Sequence, residues 1–584
     1  MNDPVLMTSE ISPGEGLLKK SPPCSQCRQK KIKCDKQKPC QNCKKAFSDC
    51  FYQPDTRTPT DTYSELYERI QQLEARLQFV TSGLVTASPD ANLTLATSTK
   101  ASPELECHCG RQILGNDFSV HFDYYMHWVE LFPKIRDTHF DMTVEDENEE
   151  GPKENYQPFL VGIAYQSETL ESYQPPELEA DFLVTVFFNN VDPFVRMVHK
   201  DTFLSDLSLF RKGKHPQMRT FTSLLFSVYG LAAASLEPNP NSIVATFGVE
   251  RESILDKYQE AQEMALYHLD FINSNKIAVF QTFLYYLTFL FARGYYRTAT
   301  TLLGLAARNA QRLGLHRDPS WFNYTPWGAE HRRRLWNQLI LLDQRAIALQ
   351  GAITVLGFAW DTKLPENVND CDWNTSPFSK PSDAPRSTGA FSQMSTILLK
   401  RETLKVLCPL RQNLRSRSYD EQMRHIDAGA ERANSYFTAV GDDMMSLATF
   451  AKEVVEIDCD HMRLMAGQAY IRFGQPPPSH SFENFTRALN MLQRLLSLEA
   501  EIINPGWMWL FRQDPPFLAT SVVLTYLSSM PDGQQNFHAW TVINAIFKKF
   551  ISIHGKSKPP IVASLEAFRE QTKPSWILTG HPSI

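Results

Sequence analysis

Through the middle and later parts of the chain, apolar residues return every three to four positions, and few stretches alternate at period two. The pattern predicts an apolar, alanine-rich helix over Phe221–Leu236 and an aromatic one over Phe280–Arg293. Leu303, Ala306, Ala307, Ala310 and Leu313 mark one face of another helix, which Gly314 would end in the left-handed conformation. A long helix from Glu330 to Leu349 would bury Leu335, Leu339, Leu342 and Ala346. Further on, helices are expected over Ser395–Leu407, stopped by Pro409, then over Asp420–Val440, Met445–Phe473 and Glu483–Ile503. Leu178–Phe188 mixes apolar and acidic residues, Val191–Phe203 reads as a turn and a short helix, and the aromatic string Gly506–Phe511 reads as core or interface. The expected fold is mostly α, with a large all-α body.

Nearer the N-terminus the period changes. Tyr63, Leu66, Ile70, Leu73, Leu77 and Val80 follow one another at spacings of 3, 4, 3, 4 and 3, the a and d positions of a coiled coil. Arg69 then falls at g and Glu74 at the following e, where they can pair across two parallel chains. Residues 63–82 are therefore read as a short coiled-coil dimerisation element, the rival reading being a helix packed on its own body. A linker at 53–62, carrying Pro54 and Pro59, precedes it. Residues 1–20 and 83–120 have the composition of disordered segments. Residues 121–172 form an acidic and aromatic connecting region whose run Glu145–Glu150 suits a solvated loop, or else a co-regulator surface. The body is divided into 173–375 and a C-terminal helical region at 376–584.

Charge sharpens this division. Between Leu18 and Ala46 lie ten basic residues and one acid, which leaves 49 basic against 64 acidic residues elsewhere. A small basic head on a large acidic body points to nucleic acid as the partner of the head alone. The longest uncharged runs, Thr220–Leu236 and Pro515–Pro531, are seventeen residues each and suit buried helices better than membrane spans. The first twenty residues contain no continuous apolar stretch of the secretory kind, so a reducing, intracellular setting is expected, where clustered cysteines bind metal.

The basic window also holds Cys24, Cys27, Cys34, Cys40, Cys43 and Cys50, which is C-x2-C-x6-C written twice. Zinc takes four ligands in a tetrahedron, so one zinc leaves two cysteines over and two separate sites need eight ligands. Two Zn²⁺ sharing six thiolates, two of them bridging, close the count. Cys107-His108-Cys109 cannot encircle a metal in the same way, because three adjacent residues lack the reach.

The string Cys24-Ser-Gln-Cys27-Arg-Gln-Lys30-Lys31-Ile-Lys33-Cys34, with Pro39, Cys40-Gln-Asn-Cys43 and Cys50, resembles the fungal zinc binuclear cluster (Zn₂Cys₆) transcription factors. The resemblance places the DNA-binding domain at 21–52 and makes Cys24 and Cys40 the bridging ligands. It implies base contacts from Lys30 and Lys31 to a CGG-like triplet, while Arg28, Lys33, Lys44 and Lys45 are suited to neutralising phosphates. Each half would form a short helix whose N-terminus favours anions. Val191–Phe203, Ala306–Asp318, Glu330–Trp336 and Leu364–Asp370 resemble the fungal-specific transcription factor domain, although Gly351 is followed by Ala352 and Ile353 where that family has Arg-Pro.

Together these imply a nuclear, sequence-specific regulator of RNA polymerase II genes that binds double-stranded DNA as a homodimer. Import is a second use for Lys19–Lys20 and Arg28–Lys33. The resemblance allows co-regulators and a small-molecule effector for the body, and favours activation of a pathway or secondary-metabolite gene cluster. No nucleophile elbow, phosphate loop, metalloprotease helix or paired-carboxylate motif points to an enzyme. The rival is a helical sensor or enzyme-like body with an attached zinc head. Arg308, Arg312, His316–Asp318 and Arg332–Arg334 could line an anion pocket, but ion pairs and helix caps are the favoured reading.

Overall fold

In the computed structural model, the described residues are 24–35, 37, 39–46 and 50–51, then 110–114, 120–124, 132, 135, 169–236 and most of 250–573. The heptads from Tyr63 to Val80, Cys107-His108-Cys109 and the acidic run Glu145–Glu150 lie outside them. The chain divides into two units, Met1–Lys100 and Ala101–Ile584.

Among its described residues, the first unit contains two five-residue helices, α1 (Ser25–Gln29) and α2 (Gln41–Lys45). Their buried side chains are cysteines, packed as a cluster of their own in place of an apolar core.

Among its described residues, the second unit is helical apart from one antiparallel hairpin, β1 (Gly110–Leu114) against β2 (Val120–Tyr124), with Gln112 opposite Phe122. The segment expected to be disordered, 83–120, includes β1. Gln112, Ile113 and Leu114 pair locally with the next segment, which a composition argument does not detect.

Among the described residues this unit has two large apolar cores and a small third cluster of Met394, Ile397 and Leu398. The first is built from α3 (Glu177–Val186), a π-helical turn at Phe187–Val191, α4 (Asp192–Val195), α5 (Lys200–Arg211), α6 (Met218–Ser235), α7 (Arg251–His268), α8 (Ile277–Arg293), α9 (Tyr296–Arg312) and α10 (Pro326–Gln350). Helix α8 lies at its centre because Phe280, Phe283, Leu284, Leu287, Phe289 and Leu290 leave it no polar face. Burying each such side chain contributes roughly 1.5–3 kcal/mol. Gly294 and Gly314 end α8 and α9 with φ of 84° and 73°, where a side chain would be strained.

The second core is built from α11 (Ser395–Gln412), α12 (Tyr419–Asn434), α13 (Met445–Phe473), α14 (His480–Glu501), α15 (Trp509–Gln513), α16 (Phe517–Ser529), α17 (Gln534–Ile546) and α18 (Pro560–Thr572). Helix α11 runs through Pro409 instead of stopping before it. Proline there removes one hydrogen bond, but continuing buries Leu410 in the second core, and Asn413 closes the end on the Pro409 carbonyl. Helix α12 ends at Asn434, short of Val440, and passes into a 3₁₀ turn at Ser435–Phe437. Among the described residues, no helix is long and apolar enough to cross a membrane.

The cores meet at the π-helical turn. Trp507 Nε1–H donates to Asn189 O at 2.7 Å, and Trp509 Nε1–H donates to Asn190 O at 2.8 Å. Phe194 stands edge-on to Phe450 and Trp507, with ring centroids 5.6 and 6.2 Å apart. The string Gly506–Phe511 is thus an interface between cores.

Candidate metal centre

The two halves of the cysteine repeat fold alike. Cys24 is the N-cap of α1 and Cys40 that of α2, and Cys27 and Cys43 lie buried one turn in. Arg28 N–H donates to Cys24 O, and Lys44 N–H to Cys40 O, both at 2.9 Å. The halves also serve each other. Phe51 O, just after the last cysteine, accepts from Ser25 N–H at 2.8 Å. Asp35, just after Cys34, accepts from Gln41 N–H at 3.1 Å through its carboxylate. The first amide of each helix is therefore filled from within, and an anion at those N-termini would have to displace it.

The sulfurs converge. Cys24 Sγ lies 3.7 Å from those of Cys40 and Cys43, and Cys27 Sγ lies 3.5 Å from that of Cys40. Disulfide sulfurs would be about 2.05 Å apart, and all six cysteines are free. A zinc–thiolate tetrahedron with bonds of about 2.3 Å has edges of roughly 3.8 Å. Cys27 has the sulfurs of Cys40, Cys24 and Cys34 as neighbours, and Cys50 has those of Cys24, Cys40 and Cys43. The sulfurs of Cys24, Cys27, Cys40 and Cys43 all lie within 4.8 Å of one another, with Cys34 and Cys50 packed against them. Burial, and then the three adjacent sulfurs, push the Cys27 thiol up. Sulfurs crowded in this way resist ionising together unless a cation joins them. Edge lengths and an all-sulfur donor set fit zinc.

Arg28, Lys30, Lys31, Lys33, Lys44 and Lys45 are all exposed around this cage. Arg28, Lys44 and Lys45 occupy the last turns of α1 and α2, where cations also complement the helix dipole. Lys31 adopts φ 50°, a left-handed conformation that costs a non-glycine residue on the order of 1 kcal/mol. Ile32 N–H reaches back to Cys27 O at 3.0 Å and Lys31 N–H to Arg28 O at 3.3 Å, the pair of bonds that closes a helix of this kind.

Residues 22–59 match the fungal Zn(2)-Cys(6) binuclear cluster domain, and residues 184–428 match the fungal specific transcription factor domain. The chain belongs to the fungal Zn₂Cys₆ transcription factors. The second match extends past the residue-375 boundary expected from the sequence and into α12.

Among relatives of this Zn₂Cys₆ factor is an uncharacterized transcriptional regulatory protein of Schizosaccharomyces pombe, 25% identical over 91% of this chain and 87% of that protein. The aurofusarin cluster transcription factor of Gibberella zeae is 26% identical over 69% of this chain and 61% of its own length. The pyriculol/pyriculariol biosynthesis cluster transcription factor of Pyricularia oryzae is 31% identical over 33% of this chain and 26% of its own length. The chain thus covers less than two thirds of either cluster regulator.

In the helical domain of this Zn₂Cys₆ factor, the arginines that could have lined an anion pocket are engaged. Arg312 donates to the carbonyls of Ile272, Asn273 and Ser274, and Arg333 grips Asp318 at 3.0 and 3.1 Å. Although burial opposes it, hydrogen bonds from Arg333 and Ser320 hold Asp318 well below the usual carboxylate range. Arg332 stacks over Tyr324, 3.8 Å from the ring centroid.

Arg334 bonds Glu330 at 2.9 Å and Asp370 at 3.0 Å, and Arg196 reaches Asp370 at 2.5 Å and Asp192 at 3.2 Å. Asp192, Arg196, Glu330, Arg334 and Asp370 are all buried, and three of the four family-like strings supply them. Spacing of i, i+4 could have flagged Asp192–Arg196 and Glu330–Arg334, but nothing local signals that Asp370 joins the two pairs. Gln393 Oε1 joins this knot to the start of α11, accepting from Arg196 at 3.1 Å and from Asp370 N–H at 2.9 Å.

Proposed function

We propose that this factor holds two Zn²⁺ across six cysteines, with Cys24 and Cys40 bridging, and uses the folded head to read CGG-like half-sites in double-stranded DNA. The observation that supports the reading is the cluster of Cys24, Cys27, Cys40 and Cys43 sulfurs, with Cys34 and Cys50 packed against it, inside a ring of exposed cations. Bound zinc would supply the positive charge that lets the thiolates coexist, and with it folding energy for a head whose buried side chains, among the described residues, are the cysteines.

The protein's own residues do the reading. Lys30 and Lys31 stand where α1 gives way to the loop and would donate to guanine O6 and N7 in the major groove. Arg28, Lys33, Lys44 and Lys45 would neutralise phosphates and set register and salt dependence. The heptads Tyr63, Leu66, Ile70, Leu73, Leu77 and Val80 would join two copies, so that a homodimer reads two half-sites. Such a protein acts in the nucleus on RNA polymerase II genes, with the helical domain as its regulatory and co-regulator-binding part. The printed names of the Gibberella and Pyricularia relatives support a biosynthetic gene cluster as the target, and activation is the expected sign.

Metal analysis of the full-length protein tests the shared cage. Two zincs per chain are expected, and Cys40→Ala should lose both, because a bridging thiolate serves both sites. A Cys40→Ala protein that keeps one tightly held zinc would show that the sites are separate.

A further inference from the structure

The basic loop after α1 is held from across the pseudo-symmetric repeat. Asn42, in α2, donates its side-chain amide to Lys33 O at 2.7 Å. Two residues on, Asp35 accepts from Gln41 N–H at 3.1 and 3.3 Å. Cys34 lies between these attachments, so residues 33–35 are pinned to the N-terminal end of α2 on both sides of a cage sulfur. This loop also needs pinning. Lys31 sits at φ 50°, closed on the helix side by the bonds of Lys31 N–H and Ile32 N–H, and the attachments to α2 hold the chain on its far side.

We propose that Asn42 is a positioning residue for DNA recognition, fixing the Lys30–Lys33 loop in its strained course so that its lysines are presented to base edges in one arrangement. Asn42 has no charge to offer a phosphate and no sulfur to offer a metal. Its contribution is preorganisation: without the bond to Lys33 O, the loop must be ordered when DNA binds, and specific affinity falls by that amount. The bond is exposed, so its loss should cost about fivefold, the scale of one ordinary hydrogen bond. Binding to random DNA depends on charge and should barely change.

The inference rests on the proposed reading of CGG-like sites, and the experiment separates the two. Full-length wild type, Asn42→Ala and Asn42→Asp are compared for zinc content and for affinity to a CGG-bearing duplex and a scrambled one over a range of salt. Asn42→Ala should keep wild-type zinc, lose about fivefold on the CGG duplex, change by less than about twofold on the scrambled duplex, and retain the wild-type salt slope. Asn42→Asp has the same shape but cannot donate to Lys33 O, and should match Asn42→Ala on the CGG duplex or fall below it. Loss of zinc in both variants would make Asn42 a structural residue and overturn the proposal. Unchanged discrimination, or equal losses on both duplexes, would overturn it too. A wild type that does not distinguish the duplexes would instead overturn the underlying reading.

Discussion

Gly506→Ala tests the joint between the two cores. A Cβ at Gly506 would lie 2.3 Å from the Cγ, Oδ1 and Nδ2 atoms of Asn190, closer than real side chains approach. No turn of the backbone relieves this, since Asn190 is buried in the π-helical turn and its amide is already committed. It donates to Ser235 Oγ at 3.2 Å and accepts from Asn504 Nδ2 at 3.1 Å. Displacing it gives up two hydrogen bonds of about 1 kcal/mol each, and forcing a methyl group into packed space costs about 1–3 kcal/mol more. The expected loss is about 3–5 kcal/mol, and the segment carrying Trp507 and Trp509 should shift with it. Urea denaturation of the full-length protein, followed by tryptophan fluorescence, reads both effects. In the double variant Gly506→Ala/Asn190→Ala, the second substitution removes the atoms that clash, so it should recover part of the loss. A Gly506→Ala protein within about 0.5 kcal/mol of wild type would refute the reasoning, as would a double variant whose losses simply add.

Other residues give further expectations. Burial pushes the Asp192 carboxyl up to about 6, with Arg196 opposing, so the folded protein holds that proton more tightly than the unfolded chain does. Its contribution therefore favours folding at low pH and is lost as pH rises from about 4 to about 6, a change of roughly 3 kcal/mol. Asp192→Asn should remove that slope, so denaturation curves at pH 4.5 and 7 should show the variant gaining on wild type, and parallel pH profiles would count against the account. Lys31→Ala should weaken binding to a CGG-bearing duplex by about 1–3 kcal/mol while sparing random DNA, as read by anisotropy titration. Lys45→Ala should instead weaken both alike and reduce the salt slope by about one. A Lys31→Ala protein that behaves like the Lys45→Ala protein would make Lys31 a phosphate contact.

The cage was legible in the sequence because metal binding by short-range ligands leaves its spacing in the chain, and Cys24 to Cys50 needs no distant partner. Helices α8, α9, α10 and α13 were legible for a similar reason: their buried faces are apolar, so periodicity reports them. Helix α7 has an apolar stripe of its own, through Ile254, Tyr258, Ala261 and Ala265, but polar residues are buried beside it and blur its edge. Gln259 and Glu263 are buried there, satisfied by Arg293 and Tyr286 of α8 at 2.6 and 2.8 Å, partners that the sequence pattern does not announce. The joint at Asn189 and Asn190 depends on tryptophans more than 300 positions away, which local pattern cannot register. The knot around Asp370 is partly of the same kind: ion pairs were expected for Arg334, but Asp370 reaches Arg196 and Arg334 across long stretches of chain. Pro409 shows the converse, a strong local stop signal overridden by burial of Leu410.

The most direct test of the central claim is a binding titration of the full-length, zinc-loaded protein against a CGG-bearing duplex and its scrambled counterpart, before and after chelation. The account predicts tighter binding to the CGG duplex by about 10³-fold or more, lost when zinc is removed and restored when it is returned. Equal affinity for the two duplexes, or a preference that survives removal of the metal, would contradict it.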